Sequence, residues 1–145
     1  MKLLYLIFLL QIGFYSCDNE SGIEFEEDIS GTWEVVSLHI DGTMKVLNPS
    51  DNPLNKDIQI SIPDSSEGIV SGNTFQNTIF FDIKVTGKTQ ITCTNYGGTR
   101  IAEDEWGIAF QENILQTSNF SIKTDTLFFT NENDLKFIKF IKKPE

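Results

Sequence analysis

The stretch Ile79-Phe80-Phe81-Asp82-Ile83-Lys84-Val85-Thr86-Gly87-Lys88-Thr89-Gln90-Ile91-Thr92-Cys93-Thr94 decides the fold. Ile79, Phe81, Ile83 and Val85 recur at every second position, with Asp82 and Lys84 between them. A period of two puts the apolar set on one face of a strand and the charges on the other. Gly87 marks a turn, and Thr89 to Thr94 returns as a neighbour. Strands joined by so short a turn run antiparallel.

Working upstream, Ile58, Ile60 and Ile62 alternate with Gln59 and Ser61 in the same way. Pro63 to Gly68 reads as a turn and Gly68 to Thr74 as a short strand. Gly31 to Ile40 is rich in Trp, Val, Leu and Ile, and Asp41-Gly42 is a hairpin signal leading into Thr43 to Leu47. Pro49 and Pro53 make Asn48 to Asn55 a loop. Downstream the period changes. Ala102, Trp106, Phe110 and Ile114 are spaced by four, which stacks them on one helical face. Asp104 and Glu105 suit the positive end of a helix dipole. The pattern predicts a helix over Glu103 to Gln116, with Gly107 in its interior. Strands resume at Phe120 to Lys123, Thr126 to Thr130 and Leu135 to Ile141, with Asn131 to Asp134 as the last hairpin loop.

Eight or nine short strands and one helix define a mainly β chain. The expected architecture is an antiparallel meander curled into an open barrel, because curling protects strand edges. The helix should lay Trp106, Phe110 and Ile114 over an opening or face of that barrel. The 145 residues suit one domain. Hydrophobic residues make up 39% and charged residues 22%, which favours a folded body over a disordered one. The formal net charge of −10 argues against nucleic acid as a partner, since phosphate binding needs a basic surface.

The N-terminus reads as an export signal. Lys2 precedes the apolar run Leu3 to Ile12, too short for a spanning helix. Ser16-Cys17 after that run resembles the lipobox of bacterial lipoproteins. The resemblance implies cleavage of residues 1–16 and lipid on Cys17. Asp18 to Asp28 carries Asp18, Glu20, Glu24, Glu26, Glu27 and Asp28 with no base, so residues 17–28 read as an acidic tether. A surface-sorting address and an inner-membrane retention signal are rival readings of that block. The expected location is the cell envelope, lipid-anchored in the outer membrane and facing the periplasm or the surface. Cys93 would then be the body's single cysteine, a small buried hydrophobe.

Three segments in order resemble the META domain, a heat-shock-lipoprotein-like family of small exported bacterial proteins. They are Ile29-Ser30-Gly31-Thr32-Trp33-Glu34-Val35, Ser71-Gly72-Asn73 and Thr99-Arg100-Ile101-Ala102. The family's two cysteines are absent, with Gly72-Asn73 lacking one and Glu103 at the place of the other. The resemblance covers Ile29 to Phe140, within a β domain expected over residues 29–143. It implies no agreed catalytic residues. The Gly31-Thr32-Trp33 opening also resembles lipocalins.

His39 is the single histidine, so a Ser-His-Asp triad would depend on it and a His-rich metal site is not available. Glu103, Asp104 and Glu105 point in different directions on a helix and read as helix-start electrostatics. Asn131-Glu132-Asn133-Asp134 lacks the Gly and the distal Glu of a calcium loop and reads as turn chemistry. Lys136, Lys139, Lys142 and Lys143 read as charged edge protection on the final strand, with a docking strip for an acidic partner as the rival. Phe80-Phe81 and Phe128-Phe129 should each send one aromatic outward, as a contact patch. No catalytic residue, cofactor or metal is expected. The expected function is a non-catalytic envelope lipoprotein, an interaction or stress-related module with an envelope protein as partner. The alternative is a lipocalin-like carrier of a small apolar ligand, held by Trp33, Trp106 and Phe110.

Overall fold

The computed structural model describes residues 28–144 except 53, 55 and 134. Cys17, the expected signal segment and all of the expected tether but Asp28 lie outside the described residues. Nine strands and one helix follow in order: β1 (Gly31–Ile40), β2 (Thr43–Val46), β3 (Gln59–Ile62), β4 (Glu67–Asn73), β5 (Thr78–Thr86), β6 (Gln90–Gly98), α1 (Glu105–Leu115), β7 (Asn119–Lys123), β8 (Thr126–Thr130) and β9 (Lys136–Lys142). The Asn48–Asp51 part of the proline-bearing loop holds a single 3-10 turn, Pro49–Asp51.

Every strand pairing is antiparallel, as the alternation predicts. The barrel closes rather than staying open, and the long strand β1 is the reason. Gly31–Glu34 pair with β3, Ser37–Ile40 pair with β2 on the same side, and Trp33–Leu38 pair with β9 on the other. Eight strands thus form a ring, with β2 as a flap along β1. The joint between β6 and β7 is the thin one, sharing the single pair Gln90–Asn119. Closure also corrects the reading of the lysine series as edge protection. β9 is bonded on both sides, to β8 and to β1, and has no free edge.

Ile58, Ile60 and Ile62, and likewise Ile79, Phe81, Ile83 and Val85, are all buried. They join Trp33, Leu38, Phe110, Phe129 and Phe140 in one core that fills the barrel. Each such side chain contributes about 1.5–3 kcal/mol on burial.

The helix is shorter than the periodicity suggests. Asp104 has an extended ψ of −179° and accepts from Gly107 N at 2.9 Å, so it caps the helix and Glu103 stays outside. Ala102 therefore leaves the predicted stripe and is exposed, whereas Trp106, Phe110 and Ile114 are buried. Asn113 Nδ2 donates to His39 O at 2.8 Å and ties α1 to the end of β1. The chain enters at the opposite end, where Asp28–Ser30 lie by the Pro63–Ser66 turn.

Candidate ligand cleft at the helix end of the barrel

Cross-strand register builds this site. Phe80 pairs with Gly97 and Asp82 with Thr94, so Asn95 and Tyr96 together stand opposite Phe81. This is a β-bulge. Asn95 takes the left-handed conformation (φ +54°) that the bulge requires, and its Nδ2 donates to Asp82 Oδ2 at 2.6 Å. Ile91 and Cys93 point inward by alternation, and without the bulge Asn95 would follow them. With it, Tyr96 turns toward the core and stacks on Phe81, centroids 6.2 Å apart and rings 10° from parallel.

Phe80 points outward and is 50% exposed. Its ring lies across Gly97, where a Cβ would approach Phe80 Cζ to 2.7 Å. Glycine thus lets an aromatic ring lie flat on the strand with its far face to solvent. Tyr96, Gly97, Arg100, Glu103 and Gln111 complete a cleft of about 490 Å³ around it.

The connection from β6 to α1 forms the far wall, and Asn77 holds it. Asn77 is 4% exposed. Its Nδ2 donates to Ile101 O at 2.8 Å, and its Oδ1 accepts from Thr99 Oγ1 at 2.7 Å and Ile101 N at 2.9 Å. Thr74 Oγ1 donates to the Glu103 carboxylate, at 2.7 Å and 2.9 Å from its two oxygens. These amide and hydroxyl groups are consumed in positioning. A second cleft of about 600 Å³, with Lys56, Gln59 and Gln76 among its lining, shares Asn77, Thr99 and Ile101 as a common wall.

Tyr96 Oη is different. Among the described residues it is the buried side-chain polar atom without a hydrogen-bond partner. Burial first, and then the negative charge of Glu103, push its phenol above the ordinary value. The hydroxyl is sealed behind the cleft lining, on the core side of the sheet where its ring stacks on Phe81.

The residues expected from sequence fall elsewhere. Trp33 is buried near the start of β1, where its Nε1 donates to Ile29 O at 2.8 Å and Lys142 Nζ lies 5.5 Å from its ring centre. Trp106 and Phe110 are core residues of α1, at the other end of the barrel. Glu103, Asp104 and Glu105 do diverge, to Thr74, Gly107 N and Lys45. The His39 ring packs 5.6 Å from that of Phe137. Asn131 Oδ1 accepts from Asn133 N and Leu135 N, which is turn chemistry; Asp134 lies outside the described residues. Phe81 and Phe129 are buried, Phe80 is exposed and Phe128 half-buried, but β6 and β7 separate their strands, so Phe80 and Phe128 are not neighbours in the sheet. Lys143 Nζ pairs with Glu34 and Asp57, both at 2.9 Å. Among the described residues no group of three or more His, Cys, Asp or Glu is placed to hold a metal. Sequence reading missed Tyr96, Arg100 and Gln111. The Gly97-Gly98 pair was the available signal, since glycines in a strand mark a bulge or a close approach.

The fold is that of a closed, eight-stranded antiparallel barrel carrying one helix. An NMR structure of a protein from Burkholderia xenovorans is similar, with a TM-score of 0.61 at 14% identity, over 80% of this chain and 83% of that one. A crystal structure of a DUF4847 family protein from Bacteroides vulgatus ATCC 8482 gives 0.60 at 16% identity, over 83% of this chain and 97% of that one. Identities this low carry the fold alone. No protein-family model matches the sequence, and no curated protein matches it.

Proposed function

We propose that the chain is a non-catalytic, lipid-anchored module of the cell envelope that works by binding through the helix end of its barrel. The observation carrying this reading is the cleft itself. It opens outward beside an exposed aromatic ring, at the end away from Asp28, while Trp33, Leu38, Phe81, Phe129 and Phe140 fill the barrel. The interior room that a carrier of an apolar ligand needs is taken by those side chains, so the interaction reading is the better supported. The lipobox-like Ser16-Cys17, the acidic tether and the META-like order of segments support the envelope part.

The anchor is tested by fractionation. The wild-type chain should sediment with membranes, and Cys17→Ala should become soluble; a Cys17→Ala chain that stays with the membrane removes the anchor. The binding face is tested with a photo-crosslinking amino acid at position 80. Adducts should form there and be absent when the same probe replaces Lys123, in the hairpin at the opposite end.

A further inference from the structure

Resting on that reading of the helix end as the binding face, we infer that the Phe80 cleft takes a carbohydrate, one or two pyranose rings of a neutral glycan. Three observations point to that chemistry. The cleft volume of about 490 Å³ lies in the range of small-molecule sites. Its floor is an exposed aromatic face, held flat by Gly97, which suits the C–H face of a sugar ring. The lining adds side chains of opposite hydrogen-bonding sense: Arg100 can donate, the Glu103 carboxylate, already accepting from Thr74, can accept further, and the Gln111 amide can do both. Sugar hydroxyls are donor and acceptor at once, so neighbouring hydroxyls can bridge such a set.

Other ligand classes fit less well. A phosphate or carboxylate would meet Glu103 and a chain of net charge −10. A cation would meet Arg100. A purely apolar guest would strip water from Arg100, Glu103 and Gln111 with nothing in return.

The test uses the full chain in detergent, titrated with maltotriose, cellotriose and chitotriose, and read by calorimetry and amide chemical shifts. At least one trisaccharide should bind with a Kd of about 1 mM or tighter, with shifts confined to Phe80, Tyr96–Arg100 and Gln111. Phe80→Ala should weaken binding about tenfold, the size of one aromatic contact. Gln111→Ala, which removes an amide from the cleft lining, should weaken it several-fold. An unchanged melting temperature in Phe80→Ala separates lost contact from lost fold. No shifts with any of the three sugars up to about 10 mM (a Kd well above 1 mM), or binding untouched by both variants, overturns the inference. Crosslinking from position 80 to an envelope protein without sugar binding would sink the carbohydrate and leave the interaction module standing. Loss of both would sink both.

Discussion

Glu103 and Gly107 share one space. The Glu103 carboxylate, fixed by Thr74, lies over the first turn of α1, and a Cβ on Gly107 would collide with its Oε2. A glycine inside a helix ordinarily destabilises it by about 0.5–1 kcal/mol relative to alanine. Here the missing side chain makes room for the residue that ends the cleft wall.

Gly107→Ala should therefore lower stability despite its better helix propensity. Overpacking of this kind costs about 1–3 kcal/mol. Chemical denaturation checks it. In a Glu103→Ala background the same change should become neutral or stabilising, and this non-additivity is the mark of a shared volume. A Gly107→Ala chain as stable as wild type would show that Glu103 swings away freely.

Asn77→Ala should strip Thr99 Oγ1 and both backbone groups of Ile101 of their partner. Thr99 and Ile101 are exposed, so water can replace part of what is lost, and the cost should be that of ordinary hydrogen bonds, about 0.5–1.5 kcal/mol each at most. Local loosening should exceed the global loss. Arg100 is the one arginine of the chain, so an arginine-specific protease reports on this connection directly. Cleavage after Arg100 should quicken in Asn77→Ala under conditions where the rest of the barrel resists.

Asp104→Ala removes the cap of α1 and leaves Gly107 N without its 2.9 Å acceptor. A loss of about 0.5–2 kcal/mol is expected, and Asp104→Asn should recover most of it. The helix signal in circular dichroism and the urea midpoint should fall together.

Stability should fall as pH rises above 9. Burial pushes the Cys93 thiol up to about 12 from 9.0. The unfolded chain loses that proton near 9 while the folded chain holds it, so alkali favours unfolding across that window. Its contribution is intact below pH 9 and lost as pH nears 12. Tyr96 is raised by burial and then Glu103, and acts in the same direction above its ordinary value of 10.0. Comparing Cys93→Ala with its parent, both carrying Cys17→Ala, a shallower decline between pH 9 and 12 is expected for the variant. Identical slopes would show that Cys93 is not shielded.

Most of the barrel was legible in the sequence, because period-two alternation at Ile58–Ile62 and Ile79–Val85 reports which face is wet, whatever the partner strand. The three-partner role of β1 was not legible, since ten regular residues do not reveal that one edge serves two strands in succession. The helix start was read two residues early, because Ala102 fits the four-residue spacing while the capping geometry of Asp104 overrides it. The cleft was hidden for a related reason. Alternation runs Ile91, Cys93 and then fails at Asn95, and the failure reads as the end of a strand when it is a bulge inside one. Trp33, Trp106 and Phe110 drew attention by size, but size alone marks a core, and all three lie in it.

The entry of the chain at Asp28 has a mechanical consequence. Any pull on the segment ahead of it reaches the barrel through β1, which leads off at Gly31. Its ladders to β3 and β9 run alongside that direction, so tension loads them in shear, many bonds at once, instead of peeling them one by one. The thin β6–β7 joint lies off that line of force. The strand that the chain enters first is thus also the one best placed to hold against such a pull.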